Sequence, residues 1–208
     1  MIAVGKINPL AISRSTDFGL MLDDGDGGEI LLPRRYVPAT WNIGDKLEVF
    51  VYLDSEDRLT ATTQRPKAMV GEFALLRVKE ASRIGAFMDW GLPKDLLVPF
   101  REQRTPMREG ESYLVYIYFD RVSGRIVASA KLDKFVANSQ RFFKTGEKVE
   151  LTIWQRTDLG YKAIIENESW GMVFHNDVFQ PLERGQRLTG YIKRVRPDGR
   201  IDLALQPP

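Results

Sequence analysis

Aromatic rings and positively charged side chains occur close together at several places in this sequence. Flat rings can stack on nucleobases while neighbouring cations pair with phosphates, and binding of a single nucleic acid strand requires this combination. Each stacked ring contributes on the order of 1–3 kcal/mol, so a few rings in one domain suffice for useful binding. The candidate rings are Phe18, Phe87, Trp90, Tyr161 and Phe174. Alternate aromatic residues of a strand could instead fill a core, because both arrangements have the same period.

The candidate cations form two groups. The first stands beside the rings, where a guanidinium could pair with a phosphate through two hydrogen bonds. Taken singly, such an arginine is more often a solvated surface charge. The second group falls within eight residues near the C-terminal end, where strand alternation sends Lys193 to one face and Arg194 to the other. The first group is Arg14, Arg34, Arg35, Arg83, Arg101 and Arg104, and the second is Lys193, Arg194, Arg196 and Arg200.

Residues that could carry catalysis are scarce. His175 is the single histidine and the chain has no cysteine, so a metal site of nitrogen and sulfur ligands has no second soft ligand. A lone histidine beside a strand is far more often structural than part of a Ser-His-Asp triad. The sequence has no glycine loop that could cradle a phosphate. We expect a protein that is not an enzyme, without cofactor, metal or small-molecule substrate.

The composition is that of a globular protein. Hydrophobic residues make up 43% of the chain and charged residues 28%, which allows packed cores. Without cysteine there is no disulfide framework. The chain has no basic start followed by a long apolar run, and no apolar run approaching the roughly 20 residues that span a bilayer. The sequence therefore predicts a cytoplasmic protein without a membrane partner.

The net charge of +2 is too small to indicate a nucleic acid partner by itself, and its distribution is more informative. Residues 1–66 carry a balance of −3 and residues 67–132 a balance of +3. Residues 133–145 carry +2, and residues 146–208 are neutral. Phosphate binding is therefore expected to weigh toward residues 67–145.

The elements that must position these residues form three copies of one pattern. A motif with glycine in second place occurs at residues 18–22, 84–88 and 159–163. Farther along, eleven residues separate Pro33 from Gly44, Pro99 from Gly110 and Phe174 from Gly185. From those glycines, 14, 15 and 15 residues lead to Arg58, Arg125 and Arg200. Offsets this regular indicate an internal repeat.

Each copy contains five short apolar runs with strand periodicity, separated by turn residues, and this pattern fits a small closed barrel. The sequence predicts an all-β chain of three tandem five-stranded OB-fold barrels, at residues 1–65, 66–132 and 146–208. The first strand is predicted over residues 3–7. In residues 133–145 the apolar spacing changes to three and four, which predicts one short amphipathic linker helix. Its apolar positions are Phe135, Val136, Ser139, Phe142 and Phe143, counting Ser139 as a small residue of the same face.

The second copy resembles the ribosomal S1 RNA-binding domain, which is a five-stranded OB-fold barrel. The resemblance rests on residues 85–89 and 96–99, together with Asp120 and residues 125–129. The S1 pattern has an aromatic residue before the glycine, a Phe two residues after it, a His after the third strand, and an acid and a base around the last turn. By this resemblance, Phe18 and Phe87 are ring positions. The acid–base pairs would be Asp54 with Arg58 and Asp120 with Arg125.

Each copy departs from the S1 pattern at some position, so each barrel alone is expected to bind weakly or not at all. The position of the His holds Pro33, Pro99 and Phe174, and in the third copy His175 follows one step later. The first aromatic residue is replaced by Ile84 and Leu159, and the Phe is replaced by Met21 and Lys162. In the third copy, Arg196 replaces the acid.

Over essentially its whole length, the chain is similar to the CvfB/YitL family (conserved virulence factor B). The similarity rests on the order of the three copies, on Leu-Leu-Pro and Leu-Val-Pro at residues 31–33 and 97–99, and on residues 159–165 and 195–203. Members of this family are bacterial RNA-binding regulators that usually carry a winged-helix domain after the third barrel. This chain ends at Pro208. Either it is a shortened form or the protein works without that domain.

The resemblance implies a regulatory protein that binds single-stranded RNA and affects gene expression, with the ribosome or RNA polymerase as candidate partners. The alternative is a protein-interaction scaffold whose barrels have lost nucleic acid binding. Single-stranded DNA is a further candidate ligand, since stacking faces do not distinguish the sugars. The expected RNA-binding residues are Phe18, Arg34, Arg35, Arg58, Arg83, Phe87, Trp90, Arg101, Asp120, Arg125, Tyr161, Lys162, Phe174, His175, Lys193, Arg194, Arg196 and Arg200.

Overall fold

The computed structural model of the chain describes residues 1–136 and 142–208. The predicted all-β fold of three closed five-stranded barrels is confirmed. The first barrel contains β1 (Ile7–Thr16), β2 (Gly19–Asp23), β3 (Glu29–Pro33), β4 (Lys46–Leu53) and β5 (Leu59–Thr62). The second contains β6 (Phe73–Ala81), β7 (Gly85–Asp89), β8 (Leu96–Pro99), β9 (Ser112–Asp120) and β10 (Arg125–Ser129). The third contains β11 (Lys148–Arg156), β12 (Gly160–Ile165), β13 (Ser169–Phe174), β14 (Arg187–Val195) and β15 (Ile201–Ala204).

The three barrels share one topology. In each, the strands follow the order first, second, third, fifth, fourth, and the fourth pairs with the first to close the barrel. All pairs are antiparallel except that of the third and fifth strands, which is parallel. A short 3-10 helix follows each third strand, at Arg34–Tyr36, Phe100–Glu102 and His175–Asp177. This is the arrangement of the OB-fold, whose second and third strands present the oligonucleotide-binding face.

A β-bulge interrupts the first strand of every barrel at the same place. The register shifts between Ile12 and Arg14 in β1, between Val78 and Glu80 in β6, and between Ile153 and Gln155 in β11. A bulge bends a strand and increases its twist, which a strand shared by both sides of a closed barrel needs. Buried apolar side chains then fill the interior, as Leu20 and Leu22 do in the first barrel.

The glycine of the repeated motif is required by close backbone packing. At Gly19, Gly85 and Gly160 the φ angles are +147°, +150° and +154°. A Cβ atom at these positions would stand 2.1, 2.3 and 2.0 Å from a carbonyl oxygen of the third strand. Only glycine combines this backbone conformation with this approach, which explains why the motif recurs in all three copies.

The first strand lies later in the chain than the sequence predicted. β1 begins at Ile7, whereas the prediction placed a strand over residues 3–7. Pro9 lies inside this strand, opposite Glu48 of β4, and prolines in strands make sequence assignment uncertain because they lack the N–H donor. Residues before β1 instead contact the second barrel, where Val70 donates a backbone hydrogen bond of 3.0 Å to the Gly5 carbonyl.

The first and second barrels pack against each other through buried rings and an ion cluster. The Trp90 ring stands edge-on to Phe50, with 5.7 Å between the ring centroids. Beside it, Asp57 in the β4–β5 turn accepts a hydrogen bond of 2.9 Å from Arg125. The Lys94 ammonium lies 3.6 Å from Asp57 and donates a hydrogen bond of 2.7 Å to the Asp54 carbonyl.

The second and third barrels share a further apolar cluster that includes the buried residues Phe73, Leu114 and Trp154. Polar contacts flank this cluster. The Phe73 N–H donates to the Asn167 side-chain oxygen at 3.1 Å, and Arg187 donates to the Phe73 carbonyl at 2.9 Å. Because each partner lies on a different barrel, these bonds fix the two barrels to one another.

The linker contains a helix, α1, at Asp133–Val136, which confirms the short helix but not its predicted length. Within α1, Phe135 stacks on Tyr116 of the second barrel at a centroid distance of 4.3 Å. Residues 142–144 are not helical: Phe142 is exposed, while Phe143 is buried against the third barrel. Ser139 lies outside the described residues. No helix in the described part of the chain is long and apolar enough to cross a membrane.

Candidate nucleic-acid interface

A groove on the third barrel has a volume of about 880 Å³. The β11–β12 turn forms one wall and the β14–β15 turn forms the other. The outward face of β13 forms the floor. The second and third strands and these two turns are the elements with which OB-folds bind oligonucleotides. This groove is therefore the candidate interface.

The floor of the groove is an apolar row on β13. Trp170, Met172 and Phe174 are half-buried and point outward, while the residues between them point into the barrel. Lys162 stands next to this row, because it pairs with Met172 across the β12–β13 ladder. Strand alternation thus places two rings, a thioether and an ammonium group on one surface.

Two cations of the groove lie against rings. The Lys162 ammonium is 4.6 Å from the centroid of Trp170 and 4.9 Å from that of the buried Trp154. The Arg196 guanidinium carbon is 5.7 Å from the centroid of Phe174. These distances are within the range of cation–π attraction. The rings are therefore held in place by charges that could also reach a phosphate.

The Arg196 side chain is oriented by a carboxylate. Its Nε lies 3.1 Å from both oxygens of Asp202, which is buried on β15. Arg196 occupies the position of Asp54 and Asp120 in the other barrels, as the strand registers show. The third barrel thus has its base where the other two have an acid. The groove balances three cations, Lys162, Arg196 and Arg200, with three acids, Asp158, Asp198 and Asp202.

Two of the predicted stacking rings are buried, which corrects the sequence interpretation. Trp90 packs between the first two barrels, and its ring N–H donates to the Lys94 carbonyl at 2.7 Å. Tyr161 belongs to the core of the third barrel. It directly follows Gly160, and the residue after the motif glycine points inward in every barrel, as Leu20 also does. Neither ring is available to a nucleobase.

The remaining predicted residues of the second barrel differ in the contacts that their side chains make. Phe87 is half-buried and pairs with Leu97. The pKa of Asp120 lies below its usual range, chiefly because the Ser123 hydroxyl donates a hydrogen bond to its carboxylate. Arg101 lies 3.6 Å from the same carboxylate. Arg125 is engaged with Asp57 of the first barrel, so the predicted side-chain pair of Asp120 with Arg125 does not form.

In the first barrel most predicted cations already have partners. Phe18 is exposed at 76% in the β1–β2 turn. Arg34 donates to the Asp17 carbonyl at 2.6 Å, and the guanidinium of Arg35 lies 4.8 Å from the ring centroid of Tyr36. Arg58 forms the predicted pair with Asp54, at 3.1 Å, and a second pair with Glu56, at 2.7 Å.

The remaining candidates lie at or beyond the rim of the groove. Arg200 is exposed, 3.6 Å from Asp198 in the β14–β15 turn. His175 is exposed, and its Nε2 lies 3.0 Å from the Asp158 carbonyl. Lys193 pairs with Asp177 at 2.9 Å and lines a separate depression. The side chains of Arg83 and Arg194 are exposed and form no hydrogen bond or ion pair with any other described residue. Within residues 1–136 and 142–208, no cluster of three or more His, Cys, Asp or Glu side chains could hold a metal ion.

Sequence reasoning missed Trp170 and Met172. Of the outward row on β13, only Phe174 was among the candidate rings. The alternation of Trp170, Met172 and Phe174 has strand periodicity, so the signal was present in the sequence.

Comparison with known proteins agrees with this architecture. The S1 domain family matches residues 4–64. The chain is 30% identical over 219 residues to the uncharacterized protein YitL of Bacillus subtilis, and the match covers 98% of this chain and 70% of YitL. A crystal structure of a multidomain protein with nucleic acid binding domains from Streptococcus pneumoniae has a TM-score of 0.52 and 20% identity, covering 98% of this chain and 74% of that one. The similarity to the pneumococcal structure is one of fold alone. On the similarity to YitL along nearly its whole length, the chain belongs to the CvfB/YitL family.

Proposed function

We propose that this protein binds single-stranded RNA, with the groove of the third barrel as its principal site, and that it affects gene expression in the cytoplasm by binding transcripts. The observation that carries the proposal is the outward row of Trp170, Met172 and Phe174 with cations beside it, lying between the two turns that OB-folds use for oligonucleotides. The match to the S1 domain and the nucleic acid binding domains of the pneumococcal relative support it.

The geometry suits a single strand better than a duplex. Stacking on Phe174 or Trp170 needs an unpaired base with a free face, and Arg196 and Arg200 stand where the backbone of such a base would pass. The groove has no net charge, so phosphate attraction alone would bind weakly. Its rings therefore have to supply much of the affinity.

Replacing the ring of Phe174 tests the proposal. We expect Phe174→Ala to weaken binding of a labelled oligouridine by roughly 10-fold, because stacking contributes about 1–3 kcal/mol per base. Fluorescence anisotropy on the full chain measures the affinity, with an oligouridine of about 30 nucleotides to span three barrels. The matched control is Phe179→Ala, since Phe179 is also an exposed ring of the third barrel but lies outside the groove.

Two further measurements complete this test. Binding of the unaltered chain should weaken as salt increases, and oligodeoxythymidine compares the two sugars. If the unaltered chain does not bind oligouridine even at low salt, the proposed function is wrong. If Phe174→Ala binds as well as Phe179→Ala, RNA binding does not use this groove.

A protein-interaction scaffold is the second candidate function, and one observation favours it. Each barrel exposes a large apolar side chain at the same point of its first turn: Phe18, Ile84 and Leu159. Large exposed apolar patches mark protein-binding sites, and a partner that spans the three turns would join these side chains into one such surface. Co-purification from extract with and without ribonuclease separates the two functions. Ribosome or RNA polymerase components that remain bound after ribonuclease would support the scaffold.

A further inference from the structure

In the first and third barrels, two contacts tie the turn between the first and second strands to the 3-10 helix after the third strand. In the first barrel, Arg34 donates its backbone N–H to the Phe18 carbonyl at 2.9 Å and its guanidinium to the Asp17 carbonyl at 2.6 Å. In the third barrel, His175 donates its backbone N–H to the Leu159 carbonyl at 3.1 Å. The His175 Nε2 also lies 3.0 Å from the Asp158 carbonyl.

The second barrel lacks both contacts. Phe100 occupies the position of Arg34 and His175, as the first residue of its 3-10 helix, and its side chain has no polar group. Within the described residues, its backbone N–H forms no equivalent bond to the Ile84 carbonyl. Within the described part of the chain, residues 82–84 are held by bonds inside the turn, such as that from the Ser82 hydroxyl to the Gly85 carbonyl. It is therefore freer to move against the helix than its two counterparts.

The residues that face this loose turn form an exposed apolar pair. Phe100 is 53% exposed and Ile84 is 58% exposed. Gly85 pairs with Pro99 at the end of the β7–β8 ladder, so Ile84 and Phe100, the residues next to that pair, leave the ladder at the same end of the barrel. The Phe100 ring has no aromatic neighbour among the described residues. An aromatic side chain left open beside an aliphatic one offers a flat face to a ligand.

Arginines are the sequence neighbours of both apolar residues. Arg83 precedes Ile84 and Arg101 follows Phe100, with Arg104 at the end of the same segment. Arg83 and Arg104 are exposed and unpaired within the described chain, and Arg101 is held loosely, 3.6 Å from Asp120. Residues 67–132 also carry the largest positive balance of the three copies, +3. A ring among guanidinium groups is the combination that binds single-stranded nucleic acid, which favours RNA over a protein as the occupant.

We infer that Phe100 and Ile84 form a second base-binding site, on the second barrel, which takes one unpaired nucleobase of an RNA strand while Arg83 and Arg101 bind the flanking phosphates. The inference rests on the proposed function, and it adds a residue, Phe100, outside the S1 ring positions. The missing contacts let the turn adjust to the base. The site complements the groove of the third barrel, where charge is balanced.

Substitutions at Phe100 test this site on the full chain, with the labelled oligouridine as the probe. Phe100→Leu keeps apolar bulk but removes the ring, so we expect affinity to fall roughly 10-fold. Phe100→Trp keeps a stacking face and should bind at least as tightly as the unaltered chain. Oligouridine should also quench its added indole fluorescence. Phe179→Leu is the control, because Phe179 is 71% exposed, lies on a different barrel from Phe100 and is not itself among the expected RNA-binding residues. Thermal unfolding of each variant confirms that the fold is retained.

The outcomes separate this inference from the proposed function. If the unaltered chain does not bind oligouridine, the proposed function fails and the second site with it. If the unaltered chain binds and Phe174→Ala weakens binding, but Phe100→Leu matches Phe179→Leu, only the second site is refuted. A Phe100→Trp variant that binds as poorly as Phe100→Leu also refutes it, since a stacking site would accept the larger ring.

Discussion

Glu102 shows how a single buried acid secures the linker between the second and third barrels. Its carboxylate accepts hydrogen bonds from the Ser129 hydroxyl at 2.8 Å and from the Lys134 ammonium at 2.9 Å. Burial raises the pKa of Glu102, but the hydrogen bonds from Lys134 and Ser129 lower it by more, so the pKa lies below its usual range. Because Lys134 belongs to α1, the ionised carboxylate fastens the linker helix to the second barrel.

Stability should depend on the ionisation of Glu102. A pKa that is lower in the folded chain stabilises the fold above the unfolded-state pKa of about 4.3, and this stabilisation disappears as the pH falls through the folded-state value. We expect Glu102→Gln to unfold more easily at neutral pH, by about 1–3 kcal/mol, because a charged hydrogen-bonded pair is lost. Urea denaturation across the pH range should show the difference between the two chains shrinking in acid. A difference independent of pH would contradict this role.

At the residue scale, the sequence predicted which residue types could bind RNA better than it predicted which of those side chains are exposed. Tyr161 could have been assigned to the core, since it aligns with Leu20 and Ala86, directly after the motif glycine. Trp90 could not, because its burial depends on Phe50 of another barrel and no local pattern encodes that contact. Arg125 was expected to bind RNA, yet its side chain donates a hydrogen bond to Asp57. The packing of two barrels brings these two residues together. The RNA-binding roles of Phe18, Phe87 and Phe174 stay predictions.

Among the elements, the second strands depend on the motif glycine at which each begins. At Gly160, a Cβ atom would lie 2.0 Å from the Val173 carbonyl oxygen, and the neighbouring strand would have to move. We expect Gly160→Ala to destabilise the chain by about 2–4 kcal/mol, measured by the urea midpoint. The control is Gly199→Ala in the β14–β15 turn, where φ is +87° but no atom lies within 4 Å of the added carbon. It should cost only about 1 kcal/mol. Equal losses would argue against steric contact as the cause.

Strand patterns were the most predictable elements, and the linker was the least. Alternating apolar residues and turn residues located the barrel strands, because a closed barrel has a uniform inside and outside. The recurrence of Phe135, Val136, Phe142 and Phe143 predicted one helix through the linker. Instead, Phe135 packs on the second barrel and Phe143 on the third. Apolar spacing alone does not tell which of two bodies a residue will contact.

At the scale of the whole molecule, Trp154 is the central buried ring between the second and third barrels. It packs in one cluster with Phe73, Leu114 and Ile164. We expect Trp154→Ala to cost about 3–5 kcal/mol, as for other large-to-small changes in cores. Because the lost contacts include those between barrels, calorimetry should show the third barrel unfolding separately. The control is Trp41→Ala, since Trp41 packs on the core of the first barrel alone. A single unfolding transition for Trp154→Ala would show that other contacts suffice to couple the barrels.

The distribution of charge along the chain favours residues 67–145 for phosphate binding, whereas the groove of the proposed function lies outside that range. The groove of the proposed function belongs to the third barrel, whose residues balance to zero. Ion pairs such as Arg196 with Asp202 cancel in a count, yet both residues line the groove. Some of the cations that give residues 67–132 their positive balance are used in contacts between barrels. Lys94 and Arg125 both pair with Asp57 of the first barrel. Which cations remain free to bind a phosphate therefore depends on the ion pairs that form in the folded chain.

The hydrogen bonds that Phe73 makes to Asn167 and Arg187 have one more consequence. They join main chain of the second barrel to side chains of the third, so the distance between the two proposed base sites is set when the chain folds rather than when a ligand arrives. Such a protein would discriminate between transcripts by the length of their unpaired stretch. A transcript would hold firmly only where its unpaired stretch reaches from one barrel to the next, and a shorter stretch flanked by hairpins would be released.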